Sequence, residues 1–140
     1  MYDPNNIFAK ILRDEIPAFK VFENGHALAF MDVMPQSAGH TLVISKANAC
    51  NFFDIDADAL AELIKATQFV ARGVRDAFKP DGTRIIQFNE PAAGQTVFHI
   101  HFHIVPCYAG QELKMHSREM ADKEVLAQHA QRVRDALAGT

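Results

Sequence analysis

Residues 99 to 103 read His-Ile-His-Phe-His, which places three histidines at alternate positions of a five-residue run. Successive side chains of an extended strand point to opposite faces. His99, His101 and His103 then share one face, while Ile100, Phe102 and Ile104 share the other and pack into an apolar layer. The segment from Gln95 to Val105 is therefore read as a strand with an imidazole face. Imidazole is the side chain whose ordinary pKa lies nearest neutrality, so such a face is a candidate for chemistry.

The rest of the chain supplies partners for that strand. Apolar groups at helical spacing in Asn6 to Leu12 predict a short helix, followed by an alternating strand over Phe19 to Glu23. Asn24-Gly25 is a hairpin signal because both residues tolerate positive φ, and His26 to Met31 reads as the return strand. The loop Asp32 to Gly39 leads into a β-branched run over Thr41 to Ile44. Asp56 reads as the N-cap of a long helix from about Ala57 to Phe78. Leu60, Leu63, Ile64, Thr67, Val70, Val74 and Phe78 form its core-facing stripe. Turn residues Lys79 to Gly82 end it, a fourth strand covers Thr83 to Phe88, and a final helix runs from about Arg118 to Leu137. Hairpin-linked strands with segregated helices predict an α+β fold with a five-stranded antiparallel sheet, one long central helix and a C-terminal helix.

Bulk properties exclude several classes. The 140 residues fit one domain with a sizeable core, and 49% hydrophobic with 22% charged residues is an ordinary globular balance. A net charge of -3, with lysines and arginines scattered singly, argues against a nucleic-acid partner. No apolar stretch nears the roughly 20 residues of a membrane span, and the first residues lack signal-peptide character. A cytoplasmic protein with no membrane partner is expected, with Cys50 and Cys107 as reduced, unpaired thiols.

Three uses of the histidine strand compete. The rings could be structural, although each desolvated ring then needs its own partners. They could hold zinc, but same-face positions lie roughly 6.6 Å apart along a strand, whereas tetrahedral ligand nitrogens lie about 3.3 Å apart. Two of the rings plus a distant ligand would serve better. Third, a neutral imidazole could attack phosphorus, splitting one hard displacement into two easier ones. Gln95 and Thr96, just upstream, add an amide and a hydroxyl for a leaving-group oxygen.

The run Gly94-Gln95-Thr96-Val97-Phe98-His99-Ile100-His101-Phe102-His103-Ile104-Val105-Pro106 resembles the signature of the histidine-triad (HIT) nucleotide hydrolases and transferases. Ile7 to Ile11 with Glu15-Ile16-Pro17 resembles that family's N-terminal segment. Ala29 to Val33, Pro35, Gly39-His40 and Leu42 to Ile44 resemble its central one. The likeness spans about residues 6 to 106 of a single 1–140 domain, leaving 107 to 140 as a variable C-terminal segment and helix.

The resemblance implies roles residue by residue. His101 would be the nucleophile, His103 would orient it, His99 would meet phosphate or leaving group, and His40 would approach from the neighbouring strand. Thr96 would serve the leaving group, and Gln95 and Asn89 would line the phosphate end. Asp32 would bind ribose hydroxyls, and Ile7, Phe8, Ile11, Phe30 and Val33 would hold the base. Taken alone, the apolar five also read as core, Asp32 as a turn acid and His40 as structural. His26 and His129 are read as surface histidines, and His116 as a C-terminal position within reach of substrate.

The expected substrate is a purine nucleotide of AMP or GMP type, such as a phosphoramidate or a dinucleoside polyphosphate, and the expected assembly is a homodimer. No cofactor is required, although magnesium can accompany a polyphosphate. Positions that carry zinc ligands in many bacterial relatives read Asn6, Ala9 and Asn48, so structural zinc is not expected and no metal ligand is assigned. The alternative is a nucleotide-binding regulatory or scaffold protein of the same fold with little turnover.

Overall fold

The computed structural model describes residues 1–114 and 119–140. Five strands, β1 (Lys20–Glu23), β2 (Ala27–Met31), β3 (Thr41–Ser45), β4 (Gly82–Ile86) and β5 (His101–Cys107), form one antiparallel sheet in the order β1-β2-β3-β5-β4. Among the described residues, three α-helices, α1 (Ile7–Leu12), α2 (Ala57–Phe78) and α3 (Lys123–Ala138), and a short 3-10 turn at Pro91–Ala93 complete the α+β fold.

The helix ends follow their caps. Asn6 accepts the Ala9 N–H at 2.9 Å to start α1. Asp56 accepts from Asp58 and Ala59 at the head of α2, and Lys79 in the left-handed region (φ 48°) ends it. α3 begins at Lys123, capped by Asp122, rather than at Arg118. Arg118 and His116 lie outside the described residues. Ile64 leaves the expected stripe of α2 and is 47% exposed, whereas Leu63, Thr67, Val70 and Val74 are buried.

β2 and β3 are buried throughout, because both faces of the sheet centre are covered. On one face, Ala27, Ala29, Met31, Val43, Ile100 and Ile104 meet α2 and α3 through Leu63, Val70, Leu126 and Val133. On the other, Phe8 and Ile11 of α1 pack with Leu28, Phe30, Leu42 and Ile44. The histidine side of β5 belongs to this second face, since His103 pairs with Leu42 and His101 with Ile44.

Strand limits shift from the sequence reading by one residue at several ends, and at the start of β2, the end of β4 and the start of β5 hydrogen bonding gives the reason. Neither Asn24 nor Gly25 takes positive φ. The Asn24 carboxamide instead accepts the amides of His26 and Ala27, both at 2.8 Å, so the return strand starts at Ala27. β4 stops at Ile86, opposite His103, and the Gln87 side chain bonds Asn89 instead. β5 starts at His101, not Gln95. Ile100 donates to Ala49 O at 2.9 Å, and the Gln95 amide donates to Cys50 O and Val97 O, which ties residues 95–100 to the loop after β3. Both cysteines are unpaired.

Candidate active site

The ladder between β3 and β5 places His101 and His103 side by side, ring centroids 5.0 Å apart. His40 enters one residue before β3, and its Nε2 lies 3.0 Å from His103 Nδ1. His99 precedes the strand. Its Nε2 donates to Ser45 O at 2.6 Å, and its Nδ1 receives the Tyr2 hydroxyl at 2.7 Å. The ring is fully buried, and that burial holds its pKa below the usual imidazole value, opposed by the bond to Ser45.

The partners assign the tautomers of all four rings. The Gln36 main-chain N–H donates to His40 Nδ1 at 3.0 Å, so in neutral His40 the proton sits on Nε2. That proton is donated to His103 Nδ1, which places the His103 proton on Nε2. His101 Nδ1 lies 2.7 Å from His99 O, and a carbonyl only accepts, so Nδ1 carries the proton and Nε2 the lone pair. Two adjacent rings thus have opposite polarity at Nε2, one basic and one donating.

Both rings line a cavity of 610 Å³, ample for a nucleotide. Ile7, Phe8, Ile11, Phe30, Val33, Asp32 and Thr96 line it as well. The Phe8 ring meets His101 edge to face at a centroid distance of 4.8 Å. Asp32 is buried; its Oδ1 accepts the Met34 amide at 2.8 Å, and its Oδ2 lies 3.4 Å from His40 Nε2. The carboxylate is therefore both a turn acid and a pocket acid.

Four expected site residues do not line this cavity. His99 is bonded as described, beneath the pocket wall. Gln95 is 4% exposed, and its carboxamide bonds Cys50, Val97, Glu90 and Asn51. Asn89 accepts the Phe52 amide at 2.8 Å and exchanges bonds with Gln87. His40 reaches a second cavity, of 210 Å³, shared with Asp32, Lys114 and His129. His129 is held below its usual pKa by burial and by the Arg132 charge. Conversely, the main cavity uses Met34, Leu42, Val97, Met120, Ala121 and Lys123, which the sequence reading did not single out. The last three precede or open α3, and no local pattern marks them as pocket residues.

Two donor sets bear on metal binding. Asn6 caps α1, Ala9 has no donor, and both nitrogens of His99 are engaged, so that corner does not fit zinc. Among the described residues, Asp32, His40 and His103 bring their ligand atoms within 4.8 Å of one another. Ligation through His40 Nε2 would move its proton to Nδ1, which already receives the Gln36 N–H. The bond polarity at His40 opposes a metal there.

A sheet of this order with two histidines on β5, a third before β3 and a fourth ahead of the strand defines a histidine-triad domain. The chain belongs to the HIT family: the HIT domain matches residues 13–110. It is similar to a Hit-like protein involved in cell-cycle regulation from Bartonella henselae, solved with an unknown ligand, at 47% identity and a TM-score of 0.91, covering 97% of this chain and 99% of that one. A hypothetical histidine triad nucleotide-binding protein from Sulfolobus tokodaii is 34% identical with a TM-score of 0.87, covering 94% and 91%. A zinc-bound histidine triad family protein from Mycobacterium smegmatis is 32% identical with a TM-score of 0.84, covering 96% and 94%.

Proposed function

We propose that this chain is a nucleotide hydrolase or nucleotidyl transferase acting at the α-phosphorus of purine nucleotides through a covalent intermediate on His101. The observation that carries the reading is the 2.7 Å bond from His101 Nδ1 to His99 O, which puts the lone pair on Nε2 at the cavity. Nε2 attacks the α-phosphorus, and the P–N or P–O bond to the leaving group breaks. The ring becomes cationic in that step, and the same carbonyl, accepting Nδ1–H, stabilises the charge. The departing atom takes a proton through His103 Nε2–H or the Thr96 hydroxyl, and a proton from solvent replaces the one given up, so neither group is left anionic. Water then adds to phosphorus, the P–N bond to His101 breaks, and the nucleoside monophosphate leaves as the water proton passes back to solvent.

Asp32 binds the ribose hydroxyls, and Ile7, Phe8, Ile11, Phe30 and Val33 hold the base. His99, Gln95 and Asn89 act through the main chain they anchor: His99 carries the carbonyl behind His101, and the other two set the loop bearing Thr96. No metal takes part in these steps. The protein is proposed as a homodimer in the cytoplasm, formed of one domain per chain. Exposed Ile85 on the edge strand β4, together with Phe52 and Phe53, supports such a contact, and a monomer in sedimentation velocity would refute it. No helix among the described residues is long and apolar enough to cross a membrane.

The decisive experiment compares wild type and His101→Ala on adenosine phosphoramidate and dinucleoside polyphosphates. Wild type should release AMP and carry one adenylyl group by mass spectrometry when water attack is slowed. Wild-type-like turnover by His101→Ala rejects His101 as nucleophile. Tight AMP binding without turnover of any substrate by wild type favours the scaffold alternative.

A further inference from the structure

We infer that Gln36 is a positioning residue: its main-chain N–H holds the His40–His103 pair in the proton arrangement that presents a donor to the substrate. The inference rests on the reading of His103 Nε2–H as that donor. A neutral imidazole has one proton, and its site is decided by what faces each nitrogen. The N–H of Gln36 points at His40 Nδ1 from 3.0 Å and excludes a proton there. Only Nε2–H remains, 3.0 Å from His103 Nδ1 and 3.4 Å from Asp32 Oδ2.

Gln36 is itself held from outside the motif. Its carbonyl accepts the Lys114 N–H at 2.8 Å, and its side-chain amide donates to Lys114 O at 3.4 Å. The loop is closed by bonds from Asp32 N to His40 O and from His40 N to Ser37 O, at 3.0 and 3.2 Å. Gly39, at φ +92° with the Phe78 ring 2.9 Å from where a methyl would sit, completes the turn that aims His40. Through Lys114, the C-terminal segment thereby bears on the relay. Among the described residues, Asp32, His103 and, across the smaller cavity, Lys114 and His129 are titratable groups that face His40.

Were the N–H absent, Nδ1 would become open to a proton. His40 would then be either the Nδ1–H tautomer, reversing the bond to His103, or a cation beside it. Both alter what His103 Nε2 offers a phosphoryl oxygen, and neither changes the base slot. The deletion should therefore lower kcat and leave KM nearly constant.

The test replaces the Gln36 residue by its α-hydroxy acid analogue, which swaps the N–H for an ester oxygen and keeps the side chain. We expect kcat to fall about tenfold, the scale of one hydrogen bond, with KM within about twofold and the ¹⁵N resonance of His40 Nδ1 moving to the protonated range. Gln36→Ala keeps the main-chain donor and should retain the Nε2–H tautomer with a smaller loss. Unchanged kcat in the ester protein, or an equal loss in Gln36→Ala, overturns the inference. The ¹⁵N spectrum of unmodified protein decides it independently of the ester protein's folding: a proton on His40 Nδ1 at neutral pH overturns it. Because that spectrum needs no turnover, it separates failure of this inference from failure of the proposed hydrolase activity.

Discussion

Asp32→Asn separates the two duties of the buried carboxylate. Asparagine keeps one oxygen for the Met34 amide, bonded at 2.8 Å, so the turn has its acceptor. The amide that replaces Oδ2 then meets His40 Nε2–H, donor against donor, across the present 3.4 Å. Toward a ribose, the change removes the charge and one of two acceptor oxygens. A hydrogen bond to a charged acceptor contributes about 1.5–3 kcal/mol and a neutral one about 0.5–1.5. Across two hydroxyls the difference is about 2–3 kcal/mol, or roughly 30- to 150-fold in kcat/KM. The assay is AMP-type product release from adenosine phosphoramidate and from its 2′,3′-dideoxy analogue, with both proteins. Wild type should discriminate strongly between the two substrates and Asp32→Asn weakly. Equal discrimination by both proteins would refute the ribose contact and leave Asp32 as a partner of His40 and the turn alone.

Two further outcomes follow from the same geometry. Burial holds the folded-state pKa of His99 below the ordinary value. The unfolded chain therefore binds a proton more readily, and the stability from neutral His99 is present above about pH 6.5 and lost as pH falls below it. Urea midpoints at pH 7.5 and 5.5 should show lower stability in acid, and a midpoint that rises on acidification contradicts the assignment. Gly39→Ala forces a side chain onto φ +92° and against the Phe78 ring at 2.9 Å. We expect a cost of about 1–3 kcal/mol, read as a lower melting temperature, and a loss of kcat because His40 is the next residue. A variant as stable and active as wild type removes the argument for strain there.

What the sequence by itself determined lies in local periods and caps. The alternation over 101–105 placed His101 and His103 on one face, and the 3.6-residue stripe with Asp56 bounded α2 at both ends. Ile7, Phe8, Ile11 and Phe30 reached one cavity because α1 and β2 carry them there, and Asp32 and Val33 because they directly follow β2. Tertiary structure decided the rest, because it turns on hydrogen-bond partners that no local pattern marks. The alternating pattern extends to His99, but Ala49 O and Ser45 O draw that segment out of the ladder and bury the ring. The polar side chains of Gln95 and Asn89 look like ligands in one dimension and are consumed by loop amides in three. Met120, Ala121 and Lys123 enter the pocket wall only because α3 folds back beside β1 and β2. The tautomers of His40 and His101 depend on an amide and a carbonyl, groups that every residue possesses and no sequence pattern distinguishes.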